Sequence, residues 1–570
     1  MIPAAAPAPL ATDPRRLDEV VVRLREHARA WARAPLQEKA DLARALLAGS
    51  ARTAERMVRV ACEAKGLPFD APSSGDEWLA GVYPVLRIFR QLAESLDALA
   101  RGGNTPLGPV GQTDDGRVTA RVFPASGVDR LLFPMIGAEV HFLEGVGTRE
   151  VEETRGRFHK APDHEGKVCL VLGAGNVNSI APADVATKLF VEGKVCVLKM
   201  NPVNAYAGPV LEESLAPAIA RGVLAIVYGG KDEGGYLAHH PGVDEVHLTG
   251  STATHDAIVW GPPGPERAAR IARNEPLLRK EITSELGDVS PVLVAPGPWD
   301  PRTLAFQAES VAGMVTQNGS FNCLAARLLV LPRGWALRDR FLELVVRALG
   351  MTPPRRGWYP GAAERLAGMV EGRAAVRTVR GAEGTVPWTL VTGLDPAADD
   401  RAFTTEAFCS VLLETQVGSE DPVEFLDAAT AFANDRLWGT LSAAILAPPR
   451  IVADRVTGAA VRRAVRRLRY GTVAVNAFTA YGFALGSTPW GGFPGQPLHD
   501  VKSGRGFVHN TRMLEGVEKT VVWHPATHPV KPPYFPSHRT LHRLGPKLVA
   551  LEGRGALSAL PGIFVTALRG

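Results

Sequence analysis

Five cysteines stand at positions 62, 169, 196, 323 and 409, and Cys323 is the one whose surroundings suit chemistry. It ends the run QNGSFNC, where Asn318, Gly319 and Ser320 are small and polar and would expose it at the end of an element. A thiolate is strongly nucleophilic, but a free cysteine is only a few per cent thiolate at pH 7, so its site must activate it. The alternative is a buried small hydrophobe. Cys169 and Cys196 lie in continuous apolar runs and read as core, and Cys62 and Cys409 have no comparable support. No CxxC pair occurs, which excludes zinc-knuckle and thioredoxin readings. His239, His240 and His247 lack an acidic or cysteine partner at ligand spacing, so no metal is expected. GxxxxGK[ST], HExxH and GxSxG are all missing from the sequence. Gly173 and Gly175 follow an apolar run, but Asn178 stands where GxGxxG needs its third glycine. Gly250 and Ser251 follow another such run and should open a helix, whose free N–H groups and positive dipole suit a pyrophosphate. Gly229 and Gly230 end a third run and permit close approach of a ligand.

Six motifs occur in order: GAGNVNS around Asn176, LKMNP around Lys199, LTGST at Gly250 and Ser251, SELGD around Glu285, QNGSFNC ending at Cys323, and TEAF around Glu406 and Phe408. Together, over roughly 166–506, they resemble the aldehyde dehydrogenase superfamily. Asn176 and Lys199 are 23 residues apart, the family's spacing, while the 38 residues from Glu285 to Cys323 are slightly more than usual and include an APGPWDP loop. The resemblance implies that Cys323 attacks an aldehyde carbonyl. The side-chain amide of Asn176 and the cysteine backbone N–H would then hold the oxyanion. Asn178, two positions on, competes with Asn176 for that role. A hydride leaves to a nicotinamide, and Glu285 activates the water that hydrolyses the thioester. Lys199 would contact the adenosine ribose, Gly229, Gly250 and Ser251 the cofactor's backbone, and Glu406 and Phe408 the nicotinamide ribose and ring.

Several positions depart from the family pattern. Pro202 stands where a glutamate often favours NAD, so NAD and NADP both remain open. Ala174-Gly175-Asn176-Val177-Asn178 replaces Pro-Trp-Asn-Phe-Pro, and Cys409-Ser410 replaces Gly-Pro. Asp288 replaces the second glycine of ELGG, and repulsion would raise the pKa of Glu285 if the two approach. Phe321 and Asn322 flank the nucleophile, and Phe478 and Tyr481 follow a late strand. This aromatic density suggests an apolar channel for a medium or bulky aldehyde, with plain core packing as the alternative. Two other functional readings stay open: a CoA-dependent member of the same superfamily, and a non-catalytic nucleotide-binding protein on its fold. Retention of Glu285 favours hydrolysis over CoA acylation, and joint retention of Cys323, Glu285 and Asn176 argues against loss of catalysis.

These residues need elements to position them. Leu17, Val20, Val21, Leu24 and Ala28 share one helical face, and residues 14–100 read as helical throughout. Runs 117–126 and 138–145 alternate like strands. From 166 the texture changes to KVCLVLG, KVCVLKM, VLAIVYGG and VDEVHLTG separated by helical stretches, the pattern of a doubly wound parallel sheet. PVLVAP, ARLLVLP, SVLLET and TVAVNAF continue it. The expected class is α/β, a Rossmann-like cofactor-binding domain plus an α/β catalytic domain of the aldehyde dehydrogenase fold, with an N-terminal helical extension. Its divisions are 1–165, helices and strands packing on the cofactor domain; 166–286, NAD(P)-binding; 287–485, catalytic; and 486–570, an oligomerisation segment and irregular tail. Residues 1–12, rich in Ala and Pro, are expected to fray.

Composition bounds the rest. Of 570 residues 46% are hydrophobic and 22% charged, which excludes a wholly disordered chain. A net charge of +5 is too dilute to predict nucleic-acid binding, and the arginines at 462, 463, 466, 467 and 469 read as one solvated helical stripe. No signal peptide or membrane span is expected, and low cysteine content suggests a reducing, cytoplasmic compartment. The expected partner is a small aldehyde, with a homodimer or tetramer implied by the family.

Overall fold

The computed structural model describes residues 9–161 and 163–570, so the fraying expected over 1–12 falls largely outside them. Five parallel strands, Val168–Leu172, Val195–Lys199, Leu224–Val227, Glu245–Gly250 and Glu281–Leu286, form the smaller sheet. In space their order is third, second, first, fourth, fifth, with Gly504–Arg505 antiparallel at the edge. The first two strands and much of the fourth are buried on both faces, which is why they read as unbroken apolar runs. The order reverses between Val168–Leu172 and Glu245–Gly250, and the crevice beyond the carboxyl ends at such a point is where this architecture binds ligands.

The larger sheet has eleven strands. Seven run parallel, from Val517–Trp523 through Thr472–Val475, Ser442–Leu446, Pro291–Val294, Leu328–Pro332 and Val411–Val417 to Trp388–Leu394. Antiparallel strands complete both sides: Val376–Arg380 at one, and Gly137–Phe142, Val118–Phe123 and Val110–Gln112 at the other.

The N-terminal segment serves both sheets. Asp13 caps helix Pro14–Ala32 by accepting from the Arg15 N–H at 2.9 Å, and proline at the first turn fits there because that N–H has no helical partner. Leu17, Val20, Val21, Leu24, Ala28 and Trp31 turn inward, and this helix with Leu36–Lys65 shares one core with the smaller sheet. The strands within 1–165, however, pair into the larger sheet.

Of the irregular tail expected within 486–570, the part after strand Val517–Trp523 is irregular only to about 540. Helices Leu541–Arg554 and Leu560–Leu568 follow. Leu541, Leu544, Leu548 and Leu551 make a helical stripe packed with Tyr83. Gly545 and Pro546 inside that helix disguise it in sequence, because both residues disfavour helix interiors. The arginine stripe is likewise not simply solvated: Arg463 and Arg467 pair with Asp427 at 2.9 and 3.0 Å, Arg466 with Asp115 at 2.7 Å, and Arg469 with Asp435 at 2.6 Å.

Candidate active site

Helix Pro301–Thr316 runs directly into the turn that carries Cys323. Asn318, Gly319 and Ser320 take φ of 54°, 68° and 73° in succession. Glycine adopts such angles freely and asparagine tolerates them, but Ser320 is held there against its preference. Arg327, fully buried, does the holding. Its guanidinium donates to Ser320 Oγ at 2.6 Å, the Cys409 carbonyl at 2.6 Å, the Asn322 carbonyl at 3.2 Å and the Ser320 carbonyl. From the opposite side Lys65, the last residue of its helix, donates to Asn318 Oδ1 at 2.9 Å and Glu77 Oε1 at 2.8 Å, and its ammonium lies 4.5 Å from the Trp358 ring centre. Asp76 accepts from the Asn318 N–H at 3.1 Å and from Arg355 at 2.9 Å.

The braced turn leaves Cys323 half-buried, with its thiol 3.5 Å from Glu285 Oε1. Burial and the neighbouring carboxylates of Glu285, Glu406 and Asp288 hold the thiol well above its ordinary pKa. Glu285 is 2% exposed, and burial pushes its carboxyl up to about 8, with repulsion from Asp184 adding to the rise. Among the described residues its Oε2 has no hydrogen-bond partner. The repulsion expected from Asp288 therefore has another source. Asp288 instead ties the larger sheet together, accepting from the N–H groups of Ser290, Leu441 and Ser442 at 3.0, 3.1 and 2.8 Å. Asp184, on helix Ile180–Ala186, accepts from Thr249 Oγ1 at 2.8 Å and lies 3.5 Å from His247 Nε2.

Asn176 and Asn178 part company. The Asn176 amide donates to the Phe321 carbonyl at 3.0 Å, against the turn that carries Cys323, with its second N–H uncommitted. Its backbone carbonyl accepts from Asn318 Nδ2 at 3.0 Å. Asn178 pairs with Tyr206 Oη at 3.3 Å and Asn204 Nδ2 at 3.4 Å and lines neither cavity at the site.

Two cavities meet at Cys323 and Asn176. The larger, about 980 Å³, lies along the carboxyl ends of the smaller sheet's strands, touching Gly173, Lys199, Gly230, Gly250 and Leu286. Lys199 Nζ donates to the carbonyls of Gly229 and Gly230 at 3.2 and 3.1 Å, and burial lowers its pKa. Gly229 thus stands behind the lining and Gly230 in it. Ser251 caps helix Thr252–Val259, its Oγ accepting from the Thr254 N–H at 3.2 Å, and the helix's positive end faces the cleft. At the far end Glu406 and Phe408 lie beside Tyr359 and Arg365. Glu406 is pushed up to about 8 by burial, and among the described residues its Oε1 has no partner. Gly287 makes room for it, since a Cβ there would overlap the carboxylate. A helix N-terminus, a lysine, a buried carboxylate with a spare oxygen and an aromatic side chain make a donor set that fits a dinucleotide.

The smaller cavity, about 120 Å³, is lined by Asp76, Val177, Ile180, Leu324, Phe478, Tyr481 and Tyr534 among others. Phe478 and Tyr481 stand in its wall as the channel expectation has them. Phe321 does not: it packs with Trp358, Tyr359 and Phe408 at 5.1, 5.8 and 6.1 Å, beneath the cofactor end. Among the described residues no group of three His, Cys, Asp or Glu side chains could hold a metal.

Several residues of the site escaped the sequence reading. Arg327 had a signal, a charge at the head of an apolar strand, and Trp358-Tyr359 had one in adjacent aromatics within a Pro/Gly-rich stretch. Lys65, Asp76 and Asp184 had none, because only the tertiary fold aims them.

Comparison with known proteins gives concordant results. A profile of the aldehyde dehydrogenase family matches residues 168–354. Betaine aldehyde dehydrogenase from Amaranthus hypochondriacus is 28% identical over 57% of this chain and 58% of its own length. Aminoacetaldehyde dehydrogenase from Pseudomonas aeruginosa is 29% identical over 50% and 53%. The chain thus spans less than two thirds of the length of these curated relatives. Among solved structures, NADP-dependent glyceraldehyde-3-phosphate dehydrogenase from Bacillus halodurans superposes with a TM-score of 0.60 at 18% identity, covering 90% of this chain and 92% of that one. Gamma-glutamyl-gamma-aminobutyraldehyde dehydrogenase from Burkholderia cenocepacia gives 0.61 at 21% identity, covering 90% and 89%. At these identities the structural likeness concerns the fold.

Proposed function

This chain belongs to the aldehyde dehydrogenase superfamily, and from that premise we propose that it oxidises an aldehyde to a carboxylate with NAD or NADP as the hydride acceptor. One observation carries the reading: the Cys323 thiol lies 3.5 Å from a buried carboxylate, at the junction of a dinucleotide-sized cleft and a small apolar cavity.

In the proposed reaction Cys323 Sγ bonds to the aldehyde carbon while its proton passes to Glu285. Burial keeps the resting thiol neutral, so proton loss must accompany attack. The uncommitted N–H of Asn176 and the backbone N–H of Cys323 stabilise the oxyanion. Lys199, the helix end at Gly250 and Ser251, and Glu406 with Phe408 would hold NAD(P)+, which would supply the hydride acceptor needed to oxidise the adduct to a thioester. Glu285 gives the thiol proton to solvent and, ionised again, draws a proton from water, whose oxygen attacks the thioester carbon; that proton passes to Cys323 Sγ as the carbon–sulfur bond breaks, and the acid released ionises to the carboxylate. The buried, unpartnered Oε2 of Glu285 supports this second use.

The same reading includes self-association through the exposed strand edge at Val110–Gln112, and a reducing cytoplasmic compartment, which five free cysteines support. Among the described residues no helix is long and apolar enough to cross a membrane.

The test is reduced-cofactor absorbance for wild type and Cys323→Ala over an aldehyde panel, with NAD+ and NADP+ separately and with and without CoA. We expect CoA-independent turnover that vanishes in the variant. Turnover only with CoA would transfer the chain to the acyl-CoA-forming class. Cofactor binding with no turnover of any aldehyde would leave a nucleotide-binding protein on this fold.

A further inference from the structure

Residues 524–540 cross the outer face of helix Pro301–Thr316, the helix that runs into the nucleophile turn. Gln307 Nε2 donates to the Ala526 carbonyl at 2.7 Å, and the Ser537 N–H donates to Glu309 Oε1 at 3.0 Å. Tyr534 Oη and Ser310 Oγ are 2.9 Å apart, and Phe535 packs on Phe306 at 4.7 Å. Gly313 permits this approach, since a Cβ there would overlap the Tyr534 carbonyl. Helix Leu541–Arg554 continues the attachment. Its Glu552 accepts from buried Arg87 at 2.5 Å and from Arg90 at 2.7 Å.

So anchored, the Tyr534 ring lies 5.2 Å from Phe478 and 6.1 Å from Tyr481. With Pro533 and Leu541 it lines the apolar cavity that reaches Cys323. We propose that this C-terminal segment, through Tyr534, Pro533 and Leu541, forms the outer wall of the substrate cavity and sets the length of the aldehyde accepted. The inference rests on the aldehyde-oxidising reading of the site. The cavity is small, about 120 Å³, so the substrate class is short apolar aldehydes, smaller than the medium or bulky aldehyde that the aromatic density in the sequence suggested. Asp76, the charged group in the wall, is paired with Arg355 and gives a cationic substrate no free counter-charge.

The test compares propanal with decanal, and p-nitrophenyl acetate with p-nitrophenyl decanoate, in wild type, Tyr534→Ala, Tyr534→Leu and Tyr534→Phe. The esters need no cofactor: Cys323 Sγ bonds to the ester carbon, the carbon–oxygen bond to nitrophenolate breaks, and the thiol proton passes to Glu285. The long-to-short ratio of kcat/KM should rise by about tenfold or more in Tyr534→Ala. It should rise less in Tyr534→Leu, which serves if the alanine variant does not fold, and stay near wild type in Tyr534→Phe, which keeps the ring. A ratio that is the same in all four proteins overturns the proposal. A change in ester selectivity without turnover of any aldehyde supports the wall and overturns the aldehyde reading. Failure of every ester to acylate Cys323 overturns both.

Discussion

In the proposed reaction Glu285 sets the pH dependence of the site. A general base works in its ionised form, and this carboxyl is pushed up to about 8 by burial and by Asp184. Below that pH it is protonated and idle, so thioester hydrolysis should rise with pH and level off above about 8, as a kcat profile with hydrolysis rate-limiting would record. Three side chains act on Glu285 directly, Asp184, Trp490 and Cys323, while Thr249 and His247 contact Asp184 from behind. Asp184→Asn removes a repelling charge and lowers the pKa of Glu285, so the rising limb should move to lower pH. An unmoved limb would mean that burial alone sets it. Cys323 and Glu285 were legible in sequence because each sits in an ordered motif set. Asp184 was not. It lies among apolar residues on a helix, and nothing in IAPADVA tells which carboxylate it faces.

At the scale of elements, the N-terminal helices complete the turn that carries Cys323 from outside the two sheets. Lys65 and Glu77 are 2% and 3% exposed at their side chains and bond to one another. Lys65→Met leaves Glu77 buried without a partner, at a cost of about 3–5 kcal/mol, and frees Asn318. The expected result is a lower melting temperature together with slower acylation of Cys323. Adding Glu77→Leu should restore most of the stability, since an apolar pair often replaces a buried ion pair without loss. It should not restore the acylation rate, which needs the contact to Asn318. If the double variant recovers both, the lysine braces the fold and not the turn. The central strands of both sheets were legible because burial on two faces demands unbroken apolar runs. The edges were not: Val376–Arg380 reads VRTVR, largely exposed, and carries no such signature. Leu541–Arg554 had its leucine stripe in plain view, but Gly545-Pro546 and the proline-rich approach spoke against a helix.

At the scale of the whole molecule, the three-residue strand Val110–Gln112 leaves the larger sheet open on that side. In the connection between its two neighbouring strands, Leu131 and Met135 are 51% and 50% exposed. Unpaired strand edges and exposed apolar side chains invite another chain. Sedimentation velocity should therefore give twice the mass of one chain or a higher multiple, and Leu131→Asp with Met135→Lys should reduce it to one. A wild-type monomer at micromolar concentration would remove this part of the reading.

Arg87 donates to Glu552, 465 positions further along the chain, and the two are buried together. Ribosomes add about 5–20 residues per second, so the arginine emerges on the order of half a minute to a minute and a half before its carboxylate. Through that interval the face of helix Tyr83–Ala100 that will receive Leu541, Leu544 and Leu548 is uncovered. The wall of the substrate cavity is missing too. The turn that carries Cys323 can form while the chain is growing, but the compartment proposed to select what reaches it is finished only once residues 533–554 have emerged.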